Sequence, residues 1–192
     1  SVTGVQTCAL PIYIIRKEDF DPAVGLALHE GSHIIHTDFD LIKTLWGRIS
    51  ELYKLGKEIG IDKDRVRDFA KLMVNYVEDR YIDNYIFTTA PGYRPYYTAL
   101  YEKYFNNKLI GQELQGKLMR QPTLPAYEAR IINLTNPMTD LDALPGLRQI
   151  AQEISLKNIG RLTHTKDRIR VAIEITKIVF KNIKDFVEKQ KQ

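Results

Sequence analysis

His29 and His33 stand four residues apart in Ala27-Leu28-His29-Glu30-Gly31-Ser32-His33-Ile34-Ile35. In an α-helix that spacing places the two imidazoles one turn apart on a single face. Both can then reach one ion, and tetrahedral zinc is the usual occupant of such an HExxH pattern. Glu30 between them is placed to act on water as a general base rather than to ligate. The pattern requires a helix here and an opposing element that carries a third ligand. Asp21-Pro22 reads as an N-cap followed by proline at the first helical position. Ala23, Val24, Leu26, Ala27, Leu28, Ile34 and Ile35 make the segment apolar nearly all round, so it is expected to be a buried helix.

The rest of the chain reads as helices separated by short breaks. Helices are expected near residues 21–37, 39–46, 50–59, 63–87, 95–106, 125–133, 146–157 and 164–189. Gly47, Gly60, Pro91-Gly92, Asn106-Asn107, Pro122, Pro125, Asn136-Pro137 and Pro145-Gly146 are the breakers. Few runs alternate with period two, so the fold class is mainly α, with at most a short N-terminal strand ending at Tyr13-Ile14-Ile15. Residues 2–12 resemble a translated sequencing adapter, so the natural chain is expected to begin near Tyr13 as one helical domain over 13–192. The one cysteine, Cys8, falls in that segment. Without it no disulfide or thiolate metal site can form. The apolar run at 8–15 is too short to span a membrane. A cytoplasmic protein with no membrane partner is therefore expected.

The net charge of +4 is unevenly spread. Residues 161–192 hold nine Lys/Arg against four Asp/Glu, and the remainder holds 19 against 20. Such a tail can meet nucleic acid. Here Ile169, Ala172, Ile173, Val179, Phe180, Ile183 and Val187 form a stripe at helical spacing, which reads instead as an amphipathic helix with a solvated basic face.

A catalytic zinc needs three protein ligands and an open position. His36 lies about 10 Å beyond His29 along the same helix, and three ligands in a row converge poorly on one tetrahedral ion. His36 also occupies the position where metzincins carry glycine, and no histidine follows until His164. A metzincin is excluded, and His36 reads as a neighbour of the site. The helix from Asp64 to Phe87 is the better source. Its second half keeps acids inside a widening apolar arc, with Asn75, Glu78, Asp79 and Ile82 on one face. A carboxylate enclosed by Val74, Val77, Tyr81 and Ile82 is costly unless paired or bound to metal. Glu78 is the expected third ligand. Asp79 or Asp83 would orient a histidine N–H, and Arg80 would neutralise the spare acid. Asp38, Asp79 and His36 are the alternative ligands, and Tyr81 and Tyr85 are weak oxyanion candidates.

The segments Leu28-His29-Glu30-Gly31-Ser32-His33-Ile34-Ile35-His36-Thr37-Asp38-Phe39 and Asn75-Tyr76-Val77-Glu78-Asp79-Arg80-Tyr81-Ile82-Asp83 resemble the metallopeptidase-like domain of bacterial proteins that also carry a von Willebrand factor A domain, a group similar to the cobaltochelatase T subunit. The resemblance covers residues 20–90. It implies a gluzincin-like set in which His29, His33 and Glu78 ligate Zn2+ and Glu30 is the base. The sequence holds no Asp-x-Ser-x-Ser adhesion motif, so the von Willebrand A domain would lie outside this fragment.

Two functions follow as expectations. One is a zinc metallopeptidase acting on a peptide or protein substrate. The other is a non-enzymatic zinc-stapled module that partners an ATPase or a von Willebrand A domain.

Overall fold

The computed structural model describes residues 16–47 and 49–190. The expected strand end at Tyr13-Ile14-Ile15 and the adapter-like segment at 2–12 lie outside these. Among the described residues there are ten α-helices, three 3-10 turns and no strand, so the mainly α expectation holds. The helices are α1 (Lys17–His36), α2 (Phe39–Thr44), α3 (Ser50–Glu58), α4 (Lys63–Thr89), α5 (Arg94–Tyr104), α6 (Lys108–Leu114), α7 (Leu124–Ile132), α8 (Leu147–Glu153), α9 (Leu156–Ile159) and α10 (Thr165–Lys189). No helix of the described residues is long and apolar enough to cross a membrane.

α4 is the central element. Val66, Phe69, Ala70, Met73, Val74, Val77, Ile82 and Ile86 are buried along it. Asp62 caps its start by accepting from the Arg65 N–H at 2.9 Å, which satisfies one of the free amides of the first turn. One flank of α4 packs on α10, where the expected stripe of Ile169, Ala172, Val179, Phe180 and Ile183 is buried and the Phe69 and Phe180 rings meet at 5.8 Å. The basic face of α10 is partly spent on α3: Lys177 pairs with Glu51 at 2.9 Å and Lys184 with Glu58 at 3.0 Å.

The other flank of α4 faces α1, which is also backed by α5. Gly25 permits that close approach, because a Cβ there would stand 2.6 Å from the Tyr96 carbonyl oxygen. Two expectations for α1 need correction. The helix begins at Lys17, not Asp21, and Pro22 lies inside it. Glu18 and Asp19 in its first turn complement the helix dipole, and Lys103 of α5 pairs with Asp19. Nor is the helix buried all round. Ile34 is 81 % exposed and Ile35 77 %, because α4 and α5 cover only one side of it.

Two boundaries also differ downstream. Asn107, expected only as a breaker, caps α6 by accepting from the Ile110 N–H at 3.0 Å. The helix expected over 146–157 divides at Ile154-Ser155 into α8 and α9.

Candidate metal centre

α1 and α4 run antiparallel, and their polar residues meet in register. His29 lies opposite Asp83 and His33 opposite Asp79. Each pair is separated by four residues within its own helix, so all four side chains project into one seam. His29 Nε2 and His33 Nε2 are 3.1 Å apart. One Asp79 Oδ1 lies 3.1 Å from His33 Nε2 and 3.5 Å from His29 Nε2. These three atoms form the group among the described residues that is able to hold a metal ion.

The donor chemistry fits zinc. Ligand atoms about 2.0–2.1 Å from a tetrahedral ion lie roughly 3.3 Å from one another, and the observed triangle has sides of 3.1, 3.1 and 3.5 Å. The far nitrogen of His29, Nδ1, lies 3.0 Å from Asp83 Oδ1. A carboxylate only accepts, so Nδ1 carries a proton, which leaves Nε2 as the nitrogen that would ligate an ion. The Asp83 carboxylate is itself fixed by the Tyr101 hydroxyl, which donates to its other oxygen.

The electrostatics of the cluster follow from this crowding. Burial opposes a charge on His29, but hydrogen bonds and charges from Asp79 and Asp83 outweigh it and push its pKa up to about 10. Burial likewise opposes the charge on Asp79, and hydrogen bonds from His29 and His33 more than offset it, holding that carboxyl below the usual range. Burial beside Asp83 pushes the Tyr101 phenol well up, so it stays a donor. Arg80 lies beside Tyr76, Tyr101 and Asp83. Burial works against its charge, and these neighbouring oxygens raise its pKa despite that.

Glu78, the expected third ligand, faces elsewhere. Consecutive helical residues point about 100° apart, and α4 is sandwiched between two partners. Asp79 therefore turns to α1, while Glu78 turns toward α10. There its Oε1 accepts from Arg168 Nε at 2.8 Å and its Oε2 accepts from the Thr37 hydroxyl at 2.9 Å. Its side chain is only 2 % exposed, whereas Asp79 is 38 % exposed. Thr37 Oγ1 also lies 3.0 Å from His33 Nδ1.

The remaining expected residues divide between the site and its surroundings. Glu30 is exposed, next to His29 on α1. The ring of His36 packs on Tyr85 at 4.1 Å and on Tyr81 at 6.1 Å, outside the cluster of His29, His33 and Asp79. Tyr81 lies under the Arg168 guanidinium at 4.2 Å. Asp38 caps α2 by accepting from the Leu41 N–H at 2.8 Å. None of these four joins the three-atom cluster.

Sequence reasoning missed Thr37, Tyr101 and Arg168. A signal did exist for the aspartates: Asp79 and Asp83 repeat the four-residue spacing of His29 and His33, as two antiparallel helices sharing one seam require. No pattern in the sequence announces Arg168, which lies 90 residues beyond its partner Glu78.

No protein-family model matches the chain, and neither a curated protein nor a solved structure matches it.

Proposed function

We propose that this chain is a zinc-dependent hydrolase module of metallopeptidase type, with His29, His33 and Asp79 as the protein ligands and Glu30 as the general base. The observation that carries the reading is the triangle of two imidazole nitrogens and one carboxylate oxygen, all within 3.5 Å of one another. Two Nε2 atoms 3.1 Å apart, one with its lone pair set by Asp83, repel each other unless a cation or a proton lies between them. Asp79 takes the place expected of Glu78, because Glu78 is already neutralised by Arg168.

Zinc in this site would supply Lewis acidity, polarising a scissile carbonyl and acidifying water toward neutral pH. The chain's own residues do the rest. Asp83 and Tyr101 hold the His29 ring. The Glu30 carboxylate, exposed beside His29, accepts a proton from the attacking water and returns it to the departing amine nitrogen. Three protein donors rather than four favour a catalytic over a closed structural site. His36 and Asp38, which would close it, are held by Tyr85 and by the α2 N-terminus.

The second reading, a zinc-stapled interaction module, draws on a different observation. Ile34, Ile35 and Phe39 are exposed beside the site, and a von Willebrand A domain or a partner ATPase would cover them in that reading. Hydrolysis of a peptide library by the zinc-loaded protein separates the two. Cleavage that disappears in Glu30→Gln while zinc stays bound supports the enzyme. Stoichiometric zinc with no cleavage by the wild type supports the module. A cytoplasmic setting belongs to both readings.

A further inference from the structure

We propose that Thr37, Glu78 and Arg168 act together as a positioning relay for His33, fixing its proton on Nδ1 so that Nε2 offers its lone pair to the metal. This rests on the metal reading of His29, His33 and Asp79, and it assigns Glu78 a task other than ligation.

The direction of each hydrogen bond settles the proton. Arg168 is fully buried and always charged, and its Nε donates to Glu78 Oε1 at 2.8 Å. Glu78 is therefore an ionised, acceptor-only carboxylate. The Thr37 hydroxyl has a single proton, and it goes to Glu78 Oε2 at 2.9 Å. Toward His33 Nδ1, at 3.0 Å, the hydroxyl oxygen is thus left to accept, so Nδ1 bears the hydrogen. His29 receives the same instruction directly from Asp83. The two histidines are held alike by different means, one by a carboxylate and the other by a hydroxyl that a buried carboxylate orients.

Arg168 anchors the relay to three parts of the fold. Its other nitrogens donate to the Leu162 carbonyl at 2.7 Å, the His36 carbonyl at 2.6 Å and the Thr165 hydroxyl at 2.8 Å. The His36 carbonyl lies in the last turn of α1, one turn beyond His33. The Thr165 hydroxyl also accepts from the Asp38 N–H at 2.9 Å. The start of α10 therefore holds the end of the motif helix in place, and a cation from the C-terminal helix sets the ring of a ligand on the first.

Partners that orient a ligating histidine contribute about 10- to 100-fold to metal affinity. Removing Arg168 or Glu78 would strand a buried charge, so Thr37 is the informative position. Zinc affinity should be measured by chelator competition for the wild type, Thr37→Val and Thr37→Ser. The His33 Nδ1–H resonance should be followed by nitrogen-15 NMR in zinc-loaded and metal-free protein. Thr37→Val is expected to weaken zinc binding by about tenfold or more and to lose the Nδ1–H resonance. Thr37→Ser, which keeps the hydroxyl, should restore both. Equal zinc affinity in Thr37→Val and the wild type overturns the relay, as does a wild-type His33 with no proton on Nδ1. If the wild type takes up no zinc, the metal reading fails, and the metal-free resonance still decides the relay: its presence in the wild type and loss in Thr37→Val supports it, and any other pattern overturns it.

Discussion

The two flanks of α4 carry consecutive acids that do opposite work. On the α1 side, Asp79 is 38 % exposed and faces two histidines. On the α10 side, Glu78 is 2 % exposed and accepts from Arg168 and from the Thr37 hydroxyl. A single residue step along the helix separates an open, exchangeable carboxylate from one locked into the core. The proposed metal site needs the first kind, because a ligand to a working metal would have to lie where water and substrate can arrive. The second kind holds geometry, since breaking a buried ion pair leaves an uncompensated charge.

The sharpest way to break this contrast is on the α10 side. Arg168→Met should destabilise the fold by about 3–5 kcal/mol, because Glu78 would remain buried without its partner. Denaturant unfolding measures this, and a loss under about 1 kcal/mol would mean that Glu78 is reached by solvent. Phe180→Ala tests the apolar part of the same flank. It should cost about 3–5 kcal/mol through lost burial and a cavity against Phe69, with zinc stoichiometry unchanged in the folded fraction.

A smaller effect is expected where α1 meets α5. Gly25→Ala forces a Cβ against the Tyr96 carbonyl and should cost about 1–3 kcal/mol, as overpacking typically does. At the exposed end of α1, Ile34→Ser should change stability by no more than about 0.5 kcal/mol, since that side chain is in solvent.

The α1 side has its own signature in pH. In the metal-free protein, burial lowers the pKa of His29, but Asp79 and Asp83 push it up to about 10, above the 6.5 of a free side chain. A group whose pKa is raised by folding stabilises the fold fully below its unfolded value. That contribution is then lost as pH rises through the folded value. Metal-free protein should therefore lose stability between about pH 6.5 and pH 10. In the proposed site zinc would replace that proton, so zinc-loaded protein should be flatter over the same window. Thermal melts at several pH values compare the two, and identical profiles would mean that zinc does not occupy this seam.

Much of this was legible in the sequence, for identifiable reasons. The four-residue spacing of His29 and His33 and the stripe from Ile169 to Val187 are local periodicities, and both became the helices they imply. The acidic stretch of α4 was recognised as the opposing wall. Which of Glu78 and Asp79 faces the two histidines was not, because it depends on the rotation of α4 between α1 and α10. That rotation pairs Glu78 with Arg168, which is distant in sequence. The exposure of Ile34 and Ile35 was also hidden, because apolar composition reports what a helix can bury and not what its neighbours cover.

The central claim is that Asp79, and not Glu78, completes the proposed metal site. Zinc content of the purified protein tests it most directly, compared among the wild type, Asp79→Ala and Glu78→Gln. One zinc per chain is expected in the wild type and none retained in Asp79→Ala. Glu78→Gln keeps the side-chain shape and should still carry zinc at reduced affinity. Zinc retained in Asp79→Ala and absent from folded Glu78→Gln would contradict the assignment.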